Sequence, residues 1–564
     1  MDSVFVACSI TIFFFIVSCV AEKAPYTSFA RNATSAPTTS YYDYIIAGGG
    51  TAGCPLAATL SSSGKVLLLE RGGLPYNNPN VIHIAGFPAN LADTSPGSVA
   101  QLFVSTDGVF NHRGRVLGGS SAINAGFYTR ASREYVTDVG WDPLLVNASY
   151  EWVEEKVAFR PRVQQWQAAV RDGLLEAGVG PYRGSTYEHL HGTKVGGSTF
   201  DDNGYRHTSA DLLEYAVPDN ITVFLYANVH QILFNTTPGQ KPKAYGVFFR
   251  DSIGRRHMAY LNNELKSEII LSAGAIGSPQ LLMLSGIGPA HHLKSKGIKL
   301  ILDQPLVGQG MSDNPMNALV IPSPRPVETS LIEVVGITEV GSYIETASGF
   351  LELAWAHRTA DNYAKLTNQT MDPYKMPNNQ TIPEEPNPHQ GPNIQAGVIL
   401  EKIMGPFSTG HLEIRSKDPN DNPIVTFNYF QDPRDLQRCA RGMEIIKNVV
   451  ESQPVSQFRY PYTTFQSLVN LMLTLPINLR RKHVTAAYSM EQFCIDSVMT
   501  IWHYHGGCQV NKVVDRDYRV IGVDGLRVID GSTFYNSPGT NPQATVMMLG
   551  RYMGQKIVQD RNSQ

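Results

Sequence analysis

Two groups of residues in this 564-residue chain have types and spacings that could do chemistry. The first is Gly48-Gly49-Gly50-Thr51-Ala52-Gly53, a Gly-x-Gly-x-x-Gly run with an acid, Glu70, 20 residues after Gly50. Gly48 permits a tight turn, Gly50 lets backbone approach a pyrophosphate, and Gly53 lets a helix pack closely on a strand. The helix N-terminus then faces the phosphate charge, and the acid is placed to hold a ribose diol. The second group is Ile501-Trp502-His503-Tyr504-His505-Gly506-Gly507-Cys508, followed 38 residues after His503 by Asn541 in Gly539-Thr540-Asn541-Pro542-Gln543. An imidazole titrates near neutral pH and suits a general base. A carboxamide can hydrogen-bond a developing alkoxide without competing for its proton. His-Tyr-His could also be half of a metal site, but no acid or cysteine pattern nearby completes one, so no metal is expected.

These residues need elements to hold them. Tyr42–Ala47 reads as a short buried strand, Cys54–Leu60 as a helix, and Lys65–Leu69 as a second strand that ends on Glu70-Arg71. Strand, glycine turn, helix, strand and acid in that order predict a dinucleotide-binding unit, without choosing between NAD and FAD. A second glycine- and serine-dense run, Arg113–Asn124, suits backbone passing a flat ring or a phosphate. Thr222–Tyr226 and a run around Val229 read as strands, and Glu268–Leu271 as a strand turning into a helix stopped by Gly286 and Gly288. Leu526–Val528 reads as a strand that ends in the polar turn Asp530-Gly531-Ser532. Alternation over Gly336–Ile344 and His411–Arg415 predicts antiparallel strands, and the Pro- and Asn-rich stretch Met371–Pro392 an exposed loop.

Composition narrows the class. With 46 basic and 49 acidic residues the net charge is −3, which gives no field to attract nucleic acid. Val4–Val20 is apolar throughout and reads as a signal peptide over residues 1–21, cleaved near Ala21, although Met-Asp-Ser before it carries no basic residue. After cleavage no stable membrane insertion is expected, and the chain is expected in the extracellular space or an endomembrane lumen. Residues 22–40 are rich in Ser, Thr and Pro and predict a flexible lead-in. Sequons at Asn32, Asn147, Asn220, Asn235, Asn368 and Asn379 permit glycosylation.

The chain resembles the glucose–methanol–choline (GMC) flavoproteins, in their plant HOTHEAD-like and mandelonitrile lyase-like branch. Gly114–Asn124 is similar to the family's first signature, Gly274–Gly288 to its second, and the last 65 residues to a third block. The resemblance implies FAD, and an α/β fold in which a Rossmann-type FAD domain is interleaved with an α+β substrate domain built on an antiparallel sheet. Its pieces would be 41–130, 216–324 and 491–564 for FAD, and 131–215 and 325–490 for substrate. It implies that the cofactor is met by Gly48, Gly50, Thr51, Ala52, Gly53, Glu70, Arg71, Val116, Gly119, Ser120, Asn124, Ala125, Gly126, Phe127, Val229, Trp502, Asp530, Gly531, Asn541, Pro542 and Gln543. Members that tether the flavin use a His five residues before the Gly-Gly pair; Arg113 stands there, with His112 one place off, so FAD is expected to be untethered.

The family's His-x-x-Gly motif aligns on His503, which makes it the expected base and Asn541 its partner; His505 is left outside the reaction. The implied reaction is hydride transfer from the CH–OH carbon of a primary, aromatic or long-chain alcohol, an ω-hydroxy fatty acid among them, with oxygen or an unidentified electron acceptor. The alternative is a hydroxynitrile lyase of the (R)-mandelonitrile type with a redox-idle FAD. Those lyases carry a second His where this chain has Asn541, and a Tyr where it has Ile501. By the same resemblance a Cys439–Cys494 disulfide is expected.

Overall fold

A computed structural model describes residues 28–76, 78–262, 266–350 and 395–563. The expected leader, the loop expected at 371–392, and Asn368 and Asn379 lie outside the described residues. The apolar runs form the middle of a six-stranded parallel sheet. Its order is Ala30–Asn32, Ile221–Leu225, Val66–Glu70, Tyr44–Ala47, Glu268–Leu271 and Leu526–Val528. Ile45, Leu67, Leu69, Ile269 and Leu271 enter one core, while Tyr44, Ile46, Val66, Leu68 and Ile270 enter the other. A parallel strand covered on both faces must be apolar at every position, which explains why these runs do not alternate. The helices Gly53–Leu60, Pro143–Val157 and Gln543–Asn562 pack together beneath the second face.

The expected flexible lead-in differs from Ser28 onward. Ala30–Asn32 is the edge strand of the parallel sheet, and Thr39–Tyr42 pairs with Arg256–Leu261 in a separate four-stranded sheet. Each is short and half-exposed, so neither carries an apolar run that composition could detect. Asp43 divides Tyr42–Ala47 between these two sheets, and its carboxylate accepts the Lys65 N–H at 2.8 Å.

A seven-stranded sheet, antiparallel but for one edge pair, forms the second layer. Its order is Met499–Thr500, Pro315–Ser323, Gln395–Ile403, Ser342–Ser348, Val334–Ile337, Gly192–Val195 and Tyr182–Ser185. The alternation over 336–344 resolves into two of these strands and the turn between them. Pro315–Ser323 and Met499–Thr500 belong here although they fall within the pieces 216–324 and 491–564. Gly410–Glu413 goes instead to a small three-stranded sheet. A disulfide joins Cys439, on helix Pro433–Glu451, to Cys494, on helix Met490–Ser497.

Candidate active site

Both groups of chemistry-bearing residues line one elongated cleft between the two sheets. The glycine turn forms its floor. Gly48 takes φ +111°, and a Cβ on Gly53 would sit 2.0 Å from the Gly48 carbonyl oxygen, so helix and strand meet this closely only through glycine. Gly50 is different: a Cβ there would find no heavy atom nearer than 3.7 Å. The protein itself leaves that space open, as a backbone cradle for a phosphate requires. Glu70 accepts the N–H of Gly49 at 3.0 Å and of Gly72 at 2.7 Å, tying the acid to the turn while its remaining lone pairs face the cleft.

Of the expected cofactor residues, the cleft brings together Gly48, Gly50, Thr51, Ala52, Glu70, Arg71, Gly119, Ser120, Asn124, Ala125, Gly126, Phe127, Val229, Trp502, Gly531, Asn541, Pro542 and Gln543. Gly53, Val116 and Asp530 do not line it. Gly53 lies behind the turn, and Val116 is buried against Val81 and Ala122. Asp530 spends its carboxylate on the Gly274 N–H (2.8 Å), the Ser278 hydroxyl (2.5 Å) and the Ser532 N–H (2.8 Å), fixing the start of helix Gly274–Leu284 against the polar turn.

His503 is held from several sides. Trp502 before it adopts φ +61°, a left-handed conformation costly for a bulky residue. The Thr500 hydroxyl fixes that turn, accepting the Trp502 N–H at 2.7 Å and donating to Asp313 at 2.6 Å. Asp313 also accepts from Tyr429 at 2.5 Å, and burial pushes its carboxyl up to about 6. The His503 Nδ1 lies 3.1 Å from the Tyr343 Oη and 3.4 Å from the Asn314 Nδ2. Tyr343 has one hydroxyl hydrogen, and the Thr540 carbonyl takes it at 3.1 Å. Nδ1 is therefore the ring nitrogen that the protein holds, which leaves Nε2 for a substrate. Burial, then the nearby Lys402 charge and His505, hold the imidazole well below its usual range. His503 is therefore a neutral, proton-accepting ring. His505 does not line the cleft; its Nδ1 bonds the His503 carbonyl at 2.9 Å.

Asn541 sits where the Thr540–Pro542 turn enters helix Gln543–Asn562. Gln543 braces it, donating to the Phe127 carbonyl at 2.7 Å and accepting from Asn124 at 2.8 Å. The Arg113 Nη2, Trp502 Nε1 and Asn541 Oδ1 are buried without a partner. All belong to residues that line the cleft. An orphaned buried polar group costs about 1–3 kcal/mol, a cost gathered here in the wall of the cleft.

Beyond Trp502 the cleft meets a second chamber of about 140 Å³. Every residue on its wall is apolar, among them Phe87, Met316, Ala318, Val398, Leu400, Met472 and Met499, and it shares Leu91, Ala125, Ile332, Ile501 and Trp502 with the cleft. Neither this chamber nor the brace of Asn314 and Tyr343 was foreseen from sequence: Tyr343 is a strand residue, Asn314 immediately precedes a strand, and most of the chamber wall comes from strands and helices away from the motifs.

A parallel sheet with a glycine cradle, roofed by an antiparallel sheet over an imidazole and a carboxamide, is the arrangement of a flavoprotein oxidoreductase. The chain belongs to the GMC oxidoreductase family, whose N-terminal part matches residues 42–316 and C-terminal part residues 406–550. FAD is its cofactor. The chain is 50% identical to protein HOTHEAD of Arabidopsis thaliana over 93% of its length and 89% of the relative's. It is 41% identical to (R)-mandelonitrile lyase 1 of Prunus serotina (95% and 90% covered) and 42% to sinalpyl alcohol oxidase Nec3 of Nesocodon mauritianus (92% and 89%). Among solved structures, pyridoxine 4-oxidase from Mesorbium loti superimposes with a TM-score of 0.70 at 21% identity, covering 91% of this chain and 98% of the other.

Proposed function

We propose that this protein oxidises the CH–OH group of an alcohol whose apolar part occupies the chamber beyond Trp502. One observation carries the reading: a neutral imidazole and a carboxamide face a cofactor cleft that opens directly onto a wholly apolar chamber. When bound, FAD supplies the acceptor for the hydride that leaves the carbinol carbon. The His503 Nε2 takes the hydroxyl proton, while Tyr343 and the Thr540 carbonyl hold the ring by Nδ1. The Asn541 carboxamide meets the substrate oxygen, and burial of the pair excludes water. The chamber matches in size the engineered cavities of about 150 Å³ that stay dry and take benzene, so aromatic and alkyl alcohols fit it. Arg113 at the tethering position supports an untethered FAD. The Cys439–Cys494 bridge supports a secreted or lumenal location, and among the described residues no helix is long and apolar enough to cross a membrane.

The test is anaerobic mixing of the FAD-loaded protein with alcohols while following the oxidised flavin's visible absorbance. Absorbance falls in the wild type, and His503→Gln slows the fall by about 10²–10⁴ with FAD retained. Cyanide release from mandelonitrile with the flavin spectrum unchanged under every alcohol overturns the reading in favour of the lyase.

A further inference from the structure

Four ionisable side chains of the roofing sheet, Lys194, Glu345, Glu401 and Lys402, are wholly buried. Lys402 and Glu345 form an ion pair in which neither side chain is exposed to solvent. Such a pair contributes little to stability, because desolvating two charges cancels most of their attraction. Its location suggests another use. Tyr343 and Lys402 are register partners on adjacent strands, and the Lys402 Nζ lies 5.5 Å from the Tyr343 ring centroid. Tyr343 in turn touches the His503 Nδ1. Glu345, two residues on and therefore on the same face, has its carboxyl raised by burial, an effect opposed by Lys402 and by the neighbouring Asn541 amide. Each end of the ion pair thus addresses one member of the His503–Asn541 pair.

We infer that the Lys402–Glu345 pair positions the reacting groups: Lys402 disfavours a second positive charge on His503, and Glu345 fixes the Asn541 carboxamide by taking one of its two amide hydrogens, which leaves the other for the substrate oxygen. The Asn541 oxygen, buried without a partner, cannot donate to an alkoxide, so the amide N–H is the group that has to be aimed. The other charged or titratable groups around His503 do not substitute for Lys402. His505 lies on the same segment and is itself held neutral by burial. Asp313 is committed to Thr500 and Tyr429. Glu401 points to the opposite face, against Gly442, where burial raises its carboxyl well above the usual range. Lys194 donates to Thr129 at 2.8 Å and stands on the far side of Glu345, with Val335 between their backbones.

The inference rests on the alcohol-oxidation reading, and its test separates the two. The acid limb of the flavin-reduction rate is measured against pH in the FAD-loaded Lys402→Met, Lys402→Arg and Glu345→Gln variants, alongside the NMR titration of His503. With Lys402→Met the ring protonates more easily, so the limb and the titration both move up by about one pH unit. Reduction below the limb then slows about tenfold, while the high-pH plateau holds. Lys402→Arg keeps both at the wild-type position, and Glu345→Gln lowers the plateau without abolishing FAD binding. Should Lys402→Met fold poorly, Lys402→Met/Glu345→Leu leaves no lone buried charge, and its limb and titration move up by a smaller step on a plateau lowered as in Glu345→Gln. A uniform loss at every pH with the His503 titration unmoved, or no change at all, overturns the inference. If no alcohol reduces the wild-type flavin, the alcohol reading fails while the NMR arm still decides the role of Lys402.

Discussion

The apolar chamber yields a quantitative expectation. Each methylene transferred from water into an apolar site gains about 0.8 kcal/mol, roughly a fourfold gain in kcat/KM if the contact is kept in the transition state. The 140 Å³ chamber has room for a benzene-sized group or a comparable stretch of alkyl chain. In a series of unbranched primary alcohols, three methylenes that enter it raise kcat/KM roughly sixtyfold, after which the slope flattens as the chamber fills. Ala318 is buried on strand Pro315–Ser323 with its side chain on the chamber wall. Ala318→Phe places a ring in that space. Overpacking costs about 1–3 kcal/mol in a filled core and less here, so the variant folds and binds FAD. Its chain-length slope disappears, while the shortest alcohols change by less than about threefold. Steady-state kinetics across the series in both proteins is the assay. An unchanged slope in Ala318→Phe, or no slope in the wild type, refutes the chamber as the substrate's apolar site.

Gly50→Val keeps the fold, since a Cβ is tolerated there, but fills the cradle; the purified protein is expected to have lost its FAD while its far-UV circular dichroism is unchanged. Replacing both Cys439 and Cys494 with Ser removes a link spanning 55 residues, worth about 4 kcal/mol in the chain-entropy treatment, and lowers the unfolding midpoint in denaturant without moving the flavin spectrum. Burial pushes His112 and His505 down from 6.5 to about 4. Between those values the unfolded chain binds protons that the folded chain refuses, so stability falls as pH drops from about 6.5 to about 4, by roughly 3 kcal/mol per ring. Denaturant unfolding across that range checks the sign: stability that rises on acidification contradicts it.

The cofactor half of the cleft is legible because its chemistry is local. A backbone cradle needs glycine at fixed offsets, and buried parallel strands need unbroken apolar runs, so Tyr44–Ala47, Gly48–Gly53 and Val66–Glu70 announce themselves within some thirty residues. The strands at 30–32 and 39–42 do not, since each has only three or four residues and an exposed side. Asp530 shows a subtler gap. An acid in a polar turn near a cofactor reads as a ligand, yet beside its local bond to Ser532 its carboxylate is taken by Gly274 and Ser278, over 250 residues away, a partnership that no local pattern encodes.

The same reasoning explains why the substrate half had to wait for the fold. On one face of the roofing sheet the register partners run Tyr343 with Lys402, Glu345 with Leu400, and Ala347 with Val398. Along about 13 Å of strand that face passes from a phenol and an ammonium beside His503 to the aliphatic wall of the chamber. In the sequence these are alternate residues of two ordinary strands, and the residues between them face the other side. Only pairing the strands turns two unremarkable alternations into a gradient from polar to apolar. On the proposed reading that gradient would give an alcohol one favourable orientation, hydroxyl toward His503 and Asn541 and carbon tail beyond Trp502, so the roof would supply the direction of binding while the glycine-cradled floor holds the cofactor.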